Sequence, residues 1–470
     1  MAPTRWSNRA GHYGFFAVLY LLGALHWCMF LNLGNPHLLD VGDWILEHRY
    51  YTVLQEAVQQ DRVPWHTSAT IHETDRFFGN PEIPLSPQLV LLRWMPIAVY
   101  LLVDLLLLYS AGFLGCLLLA RRYRLSAPAF APLFILFNFN GHIVSHLSIG
   151  HTPWFGYFLL PFFLYEVLRL LDGDAPVRAH LTLPLILFVI FLQGFFHLYN
   201  WAVLFLLLLA LADRRHARTL LLAVAISIPL VVFRILPATL AFGHRHYTDA
   251  SGYPSLLVLL QALTVSRPPH YPVAGGFFGG FSWWEYDLYV GVMGLLFLVG
   301  FGILPLFRRD ARLEPLRYRA LDLPMLAMSI LALNYFYMVL LIARIPLASA
   351  ERAPVRFILL PFIFLLTLAV LRADRLYRAM HPTRVVRILV WLGILGLAFP
   401  LWEHSQLWLP SGLVPPEVSP FVANAPVPHL GQRSDPLFMT VCLASLAVSA
   451  ISLVALLTAT ARRLARSEDT

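Results

Sequence analysis

Apolar runs, most of them about twenty residues long, recur along this chain from Tyr13 to Thr460, and runs of that length cross the hydrocarbon core of a bilayer as helices. Nothing else in the sequence constrains the fold so tightly. In lipid every backbone N–H and C=O must find a partner within the protein, which leaves helices or a closed barrel. The runs are continuous rather than alternating, so they read as helices. Sliding windows give about twelve spans, near 13–32, 97–119, 126–140, 153–171, 181–196, 199–212, 219–241, 289–307, 322–345, 357–371, 386–402 and 437–460. The third, fifth and sixth are short, and the pair meeting between Gln193 and Asn200 reads equally as one broken helix.

Composition agrees. The chain is 59% hydrophobic and 13% charged over 470 residues, more apolar than a soluble core of this length requires. A formal charge of +8 would suit nucleic acid if it were clustered, but its distribution fits membrane topology instead. Every basic residue is arginine. Alternating sides from a cytoplasmic N-terminus places Arg5 and Arg9, Arg121, Arg122 and Arg124, Arg169 and Arg178, and Arg214, Arg215 and Arg218 inside. The clusters from Arg308 to Arg319 and from Arg372 to Arg387, with Arg462, Arg463 and Arg466, fall on the same side, bringing about two thirds of the arginines inside. The expectation is an all-α integral membrane protein of about twelve transmembrane helices, both termini cytoplasmic, multi-pass in the cell inner (plasma) membrane, without a nucleic-acid partner. Residues 1–470 form a single polytopic domain in this reading. The first span lacks a small-residue cleavage site and reads as retained. Cys28, Cys116 and Cys442 each lie in an apolar span, with no metal-binding spacing.

Three long extracytoplasmic loops break the pattern of short turns, at 32–88, 242–288 and 403–436. The second carries a Gly-rich run at 274–281 followed by Trp283, Trp284, Glu285, Tyr286 and Asp287; the third is rich in proline. In the first, Trp44, Ile45, His48, Tyr51, Leu54 and Val58 recur at helical steps, which predicts an amphipathic surface helix over 44–60. Asp43 stands directly before it, where an aspartate either caps the helix or acts as a general base at the membrane edge. Asp40 shares that site or is solvated.

The order of ValGlyAspTrp (41–44), AspArgValProTrp (61–65), GlyAsnProGluIlePro (79–84), PheAsnPheAsnGlyHis (137–142), HisLeuSerIleGlyHisThrProTrp (146–154), TrpTrpGluTyrAspLeuTyrValGly (283–291) and ArgAlaProValArgPhe (352–357) resembles the GT-C class of glycosyltransferases, in particular its bacterial polyprenyl-phosphate-sugar-dependent branch. The likeness covers about residues 1–370 and rests on order and topology, since each motif is only a few residues long. It implies an acid of the first outer loop as the catalytic residue, Asp43 by position or Asp40 if the register slips. It also implies a lipid-linked donor and chemistry on the extracytoplasmic face. The last two spans and the Pro-rich loop fall outside it.

Other residues carry competing readings. His142 and His146 share a helical face, with His151 close behind. Polar interface residues outweigh a zinc site there, and His142 or His151 hydrogen-bonding a donor phosphate fits the resemblance. Asp104 and Arg234 lie within spans, where each needs a cavity, a lipid phosphate or the other as partner. Gln193 and His197, beside Tyr199, line the same cavity or bond between helices. Arg352 and Arg356, four apart with Glu351 alongside, suit a phosphodiester or a solvated turn. Trp283, Trp284 and Tyr286 form an interfacial aromatic belt or stack on a sugar, with Glu285 as the second candidate acid.

The leading expectation is therefore a membrane glycosyltransferase that moves a sugar from a polyprenyl-phosphate donor to the hydroxyl of a glycan, lipid or protein acceptor, with Asp43 as general base. No cofactor is fixed by the sequence, and a divalent metal ion stays open. The rivals are a transporter or flippase of a lipid-linked glycan and a non-catalytic envelope-assembly subunit. A transporter needs charges at mid-membrane depth, whereas here they gather on one face.

Overall fold

The computed structural model describes residues 9–40, 42–71, 74–174, 176–243, 251–273, 282–307, 316–342, 351–410 and 427–468. The Gly-rich run at 274–281, most of the Pro-rich loop and part of the arginine cluster from Arg308 to Arg319 lie outside them. The described residues are helical, with isolated bridge pairs and no strand. Nine helices among them are long and apolar enough to cross a membrane: Tyr13–Phe30, Ile97–Tyr123, Ala127–Ile149, Thr152–Leu171, Ala217–Phe242, Trp283–Phe307, Pro354–Ala379, Arg384–Leu407 and Pro436–Arg462. Ala179–Leu192 and Phe196–Ala212 are shorter apolar helices. By length and composition this is a multi-pass membrane protein.

The elements run α1 (Arg9–Phe30), α2 (Trp44–Gln59), α3 (Ile97–Tyr123), α4 (Ala127–Phe139), α5 (Gly141–Ile149), α6 (Leu160–Leu171), α7 (Pro176–Leu192), α8 (Phe196–Ala212), α9 (Ala217–Phe242), α10 (Leu256–Thr264) and α11 (Trp283–Tyr286). They continue with α12 (Gly291–Phe297), α13 (Leu304–Phe307), α14 (Asp322–Leu331), α15 (Asn334–Ile342), α16 (Leu359–Ala379), α17 (Arg384–Leu407) and α18 (Pro436–Glu468). The core is α4, α5, α6 and α16, which are buried almost all round. In contrast α1, α17 and α18 present leucines, valines and isoleucines outward, such as Leu21, Leu25, Ile388, Leu395 and Ile451, as lipid-facing helices do.

Several spans are interrupted, each for a visible reason. The window at 126–140 continues past Asn140, whose side chain caps α5 by accepting the Ile143 N–H at 3.3 Å. The window at 322–345 breaks at Leu333 because Tyr253 donates to the Ala332 carbonyl at 2.8 Å and accepts from Asn334 N at 3.1 Å. Between α7 and α8 the chain turns at Gly194, with φ +79° and the Glu82 carbonyl 2.2 Å from where a Cβ would stand.

The helix expected over 44–60 forms as α2, but its buried side carries Trp44, Glu47, Tyr50, Tyr51, Leu54 and Ala57, and it packs on α3 and the turn at Pro87–Arg93. The expected apolar stripe through His48 is therefore rotated: His48 faces out and Glu47 faces in. The end of the third loop is strapped to the first. Ser68 N donates to the His429 carbonyl and Gly431 N to the His66 carbonyl, at 2.9 and 2.8 Å. Arg433 and Arg76 pair with Asp75 and Asp435 at 3.0 and 2.8 Å.

Candidate functional site

The site grows from the contact between the start of α2 and the end of α5. Gly150 ends α5 with φ +107°, and its missing Cβ would lie 2.3 Å from Trp44 N, so only glycine lets the two segments meet. Asp43 N then donates to the Ile149 carbonyl at 2.8 Å, and the Trp44 indole donates to the Ser148 carbonyl at 3.0 Å. These bonds deliver His151 to Asp43, Nε2 to Oδ2, at 3.0 Å. The Asp43 side chain makes no cap bond to α2, and its backbone is already helical at φ −74° and ψ −8°. The capping reading thus gives way: the carboxylate, 52% exposed, turns to the histidine.

Behind it, His151 Nδ1 lies 2.7 Å from His146 Nδ1. One proton fits between two such nitrogens, so when both rings are neutral and His151 uses Nε2–H on Asp43, His146 carries the shared proton. The His146 ring stacks on Trp154 at 3.8 Å, and its Nε2 is buried without a hydrogen-bond partner. His142 packs edge-on against both rings, its nitrogens likewise unpartnered. Over Trp154 stands Arg356, 5.8 Å from the ring centre, forked onto Glu285 through Nε and, at 2.9 Å, Nη2. Next comes Glu351, which accepts from the Trp201 indole at 3.0 Å and pairs with His197 at 2.8 Å; His197 stands 3.7 Å from Glu82. The result is one polar seam from Asp43 to Glu82 at the loop end of the bundle, floored by Trp154 and Trp201.

Glu351 of this seam and Glu47 of α2, one helical turn after Asp43, are shifted in opposite directions. Burial holds the Glu47 carboxyl well above its ordinary range, reinforced by the charges of Glu82 and Asp43 against the hydrogen bond donated by Thr152 at 2.6 Å. Burial alone would also raise Glu351, but the His197 charge and hydrogen bond, Arg356 and the Ala353 N–H together bring it below its ordinary value.

The remaining candidates fall elsewhere. Asp40 is exposed and pairs with His37 at 3.5 Å. Arg234 and Asp104 do not pair: Arg234 is buried, giving its guanidinium to the carbonyls of Phe78, Asn80 and Ile83, and Asp104 accepts from Gln88 at 2.9 Å. Gln88 also donates to Gln193 at 2.8 Å. Arg234 thus holds the first loop in place. Arg352 is exposed at the rim. Trp283 and Tyr286 are core residues, packed on Tyr271 and Tyr253; Trp284 alone of that cluster reaches the seam, 5.3 Å edge-on to His151.

Glu47, Thr152 and Trp201 were not singled out from sequence. Glu47 carried a usable signal, an acid one helical turn after Asp43 and so on the same face. Among the described residues no group of three or more His, Cys, Asp or Glu side chains is placed to hold a metal ion. These features define a class: an all-helical, multi-pass membrane protein with a histidine–carboxylate seam at one end of its bundle. Compared with family models, curated proteins and solved structures, the chain matches none.

Proposed function

We propose that this protein is a membrane glycosyltransferase of GT-C type, working at the loop end of the bundle on a polyprenyl-phosphate sugar. The observation that carries the reading is Asp43, a half-exposed carboxylate held by His151 and backed by His146. Such a group accepts a proton from an acceptor hydroxyl as that oxygen attacks the anomeric carbon, while the lipid phosphate leaves. His151 fixes which carboxylate oxygen faces the acceptor, and the buried Glu47, one helical turn on, accepts from Thr152, the residue after His151. Trp284, half-buried against His151, offers the sugar-stacking face. The leaving phosphate meets Arg352 at the rim, with the Arg356–Glu285 pair as a fixed floor beneath it. With alignment and charge stabilisation supplied, little else is asked of the protein.

The arginine distribution supports about twelve spans, cytoplasmic termini and an extracytoplasmic loop end in the inner membrane. Reporters fused after Arg122, Arg215 and Arg375 are expected to register cytoplasm, and those near Pro64 and Pro269 the opposite side. The donor is tested by giving purified protein a panel of polyprenyl-phosphate sugars and the matching nucleotide sugars. Transfer from a lipid-phosphate sugar alone is expected. Efficient transfer from a nucleotide sugar alone, unaffected by Arg352→Ala, overturns the proposal.

A further inference from the structure

A second constellation lies outside the seam, where the turn after α10 meets the end of α17. Ser266 Oγ is 2.7 Å from His404 Nδ1, and the other ring nitrogen, Nε2, is 3.2 Å from Asp287 Oδ2. His404 and Asp287 are fully buried, while Ser266 is only partly so. Tyr289 stacks on the imidazole at 4.3 Å, and its backbone N–H bonds the second oxygen of Asp287 at 2.8 Å, so ring and carboxylate are each held from one side. The three residues come from segments more than a hundred positions apart at the extremes, and the fold alone brings them together.

We propose that Ser266, His404 and Asp287 form a nucleophilic site for an acyl ester presented at the membrane surface. His404 takes the Ser266 proton on Nδ1 as Oγ bonds to the acyl carbon. The ester C–O bond breaks, the proton passes from His404 to the departing alkoxide, and an acyl-serine remains. Water or a second hydroxyl, deprotonated by the same nitrogen, then bonds to the acyl carbon, the acyl–Oγ bond breaks, and the proton returns from His404 to Ser266 Oγ. Asp287 supports the imidazolium between these steps. Its approach to His404 is a close contact at 3.2 Å rather than an aligned hydrogen bond, and resting catalytic pairs often tighten only with substrate. Arg267, next in the chain, lies over Tyr271 and Trp283, donates from Nη2 to Gln261 at 3.3 Å and keeps a buried Nε without a hydrogen-bond partner; in this proposal it is the cation that answers the developing oxyanion.

The substrate class follows from the surroundings. Leu256, Leu257 and Leu260 of α10, Val265, Tyr271, and Trp402 and Leu407 of α17 are all exposed around this turn. An apolar collar of that kind on a membrane protein suits contact with lipid, so the ester the proposal commits to is the acyl ester of a lipid.

Detergent-solubilised full-length protein treated with a long-chain alkyl fluorophosphonate tests this directly, and the readout is independent of sugar transfer. Mass spectrometry is expected to find the phosphonate on Ser266, with the label absent from Ser266→Ala. His404→Gln, checked for unchanged thermal unfolding, should slow labelling by about a hundredfold or more. Should His404→Gln not fold, Asp287→Asn gives the same reading with a ring partner retained. Failure to label Ser266 where a serine-hydrolase control reacts fully, or labelling at the same rate without His404, would reduce the cluster to a packed core histidine and overturn the proposal.

Discussion

Asp43, just before α2, and Glu285, within α11, both stand at the loop end of the bundle, and the chain treats them in opposite ways. Glu285 is wholly buried and both its oxygens are taken by the fork of Arg356. Asp43 is half exposed, with one histidine on one oxygen. A carboxylate buried in a bidentate ion pair is neutralised and out of a substrate's reach, and one open to solvent on one side is within it. An acid's chemistry is set by what the fold puts against it. Being an acid in an outer loop does not decide it.

The comparison breaks most visibly in stability. Glu285→Ala takes the fork from the buried Arg356 charge and leaves it only the weaker contact to Glu351 at 3.9 Å, so unfolding in detergent should show a loss of about 3 kcal/mol, the lower end of what breaking a buried pair costs. Asp43→Asn, at a partly exposed pair, should cost about 1 kcal/mol or less. Equal losses for the two would mean that Asp43 is as structural as Glu285. Smaller, but aimed at the seam itself, is Gly150→Ala. The new Cβ meets Trp44 N and the left-handed backbone opposes it, a cost of about 1–3 kcal/mol. Because the same contact seats His151 on Asp43, any transferase activity should fall further than stability does. Unaltered activity would show that the Gly150 contact does not govern the pair.

The gentlest test uses pH. Glu47 binds its proton more tightly folded than unfolded, so its contribution is full below the ordinary value of 4.5 and is lost as pH rises through its higher folded value. Glu351 is the reverse: its contribution is present above that value and is lost as pH falls through the depressed folded one. Unfolding temperatures across pH should therefore flatten on the alkaline side in Glu47→Gln and on the acid side in Glu351→Gln. Identical effects in the two variants would contradict the opposed shifts.

Much of this was legible one element at a time and little of it across elements. The position of Asp43 before a helix, and that helix itself, follow from spacing. Its partner does not, because His151 is 108 residues away and arrives only through the close approach at Gly150. Glu47 was overlooked since a face holding a buried acid reads more weakly as apolar than the one through His48. Trp283 and Tyr286 look like a membrane belt in sequence, and depth of burial, which decides otherwise, is a tertiary property. Arg234 showed its cost but not its partners, three carbonyls of a loop more than 150 residues earlier.

The central claim is that Asp43 is the base, and the most direct measurement is single-turnover sugar transfer by Asp43→Asn with donor binding measured alongside. Asparagine keeps the size of the side chain and the bond to His151 but cannot take a proton. Donor affinity is expected to stay within about a factor of ten of wild type, and transfer to slow by about two to four orders of magnitude. Transfer at near-normal rate in that variant would contradict the claim.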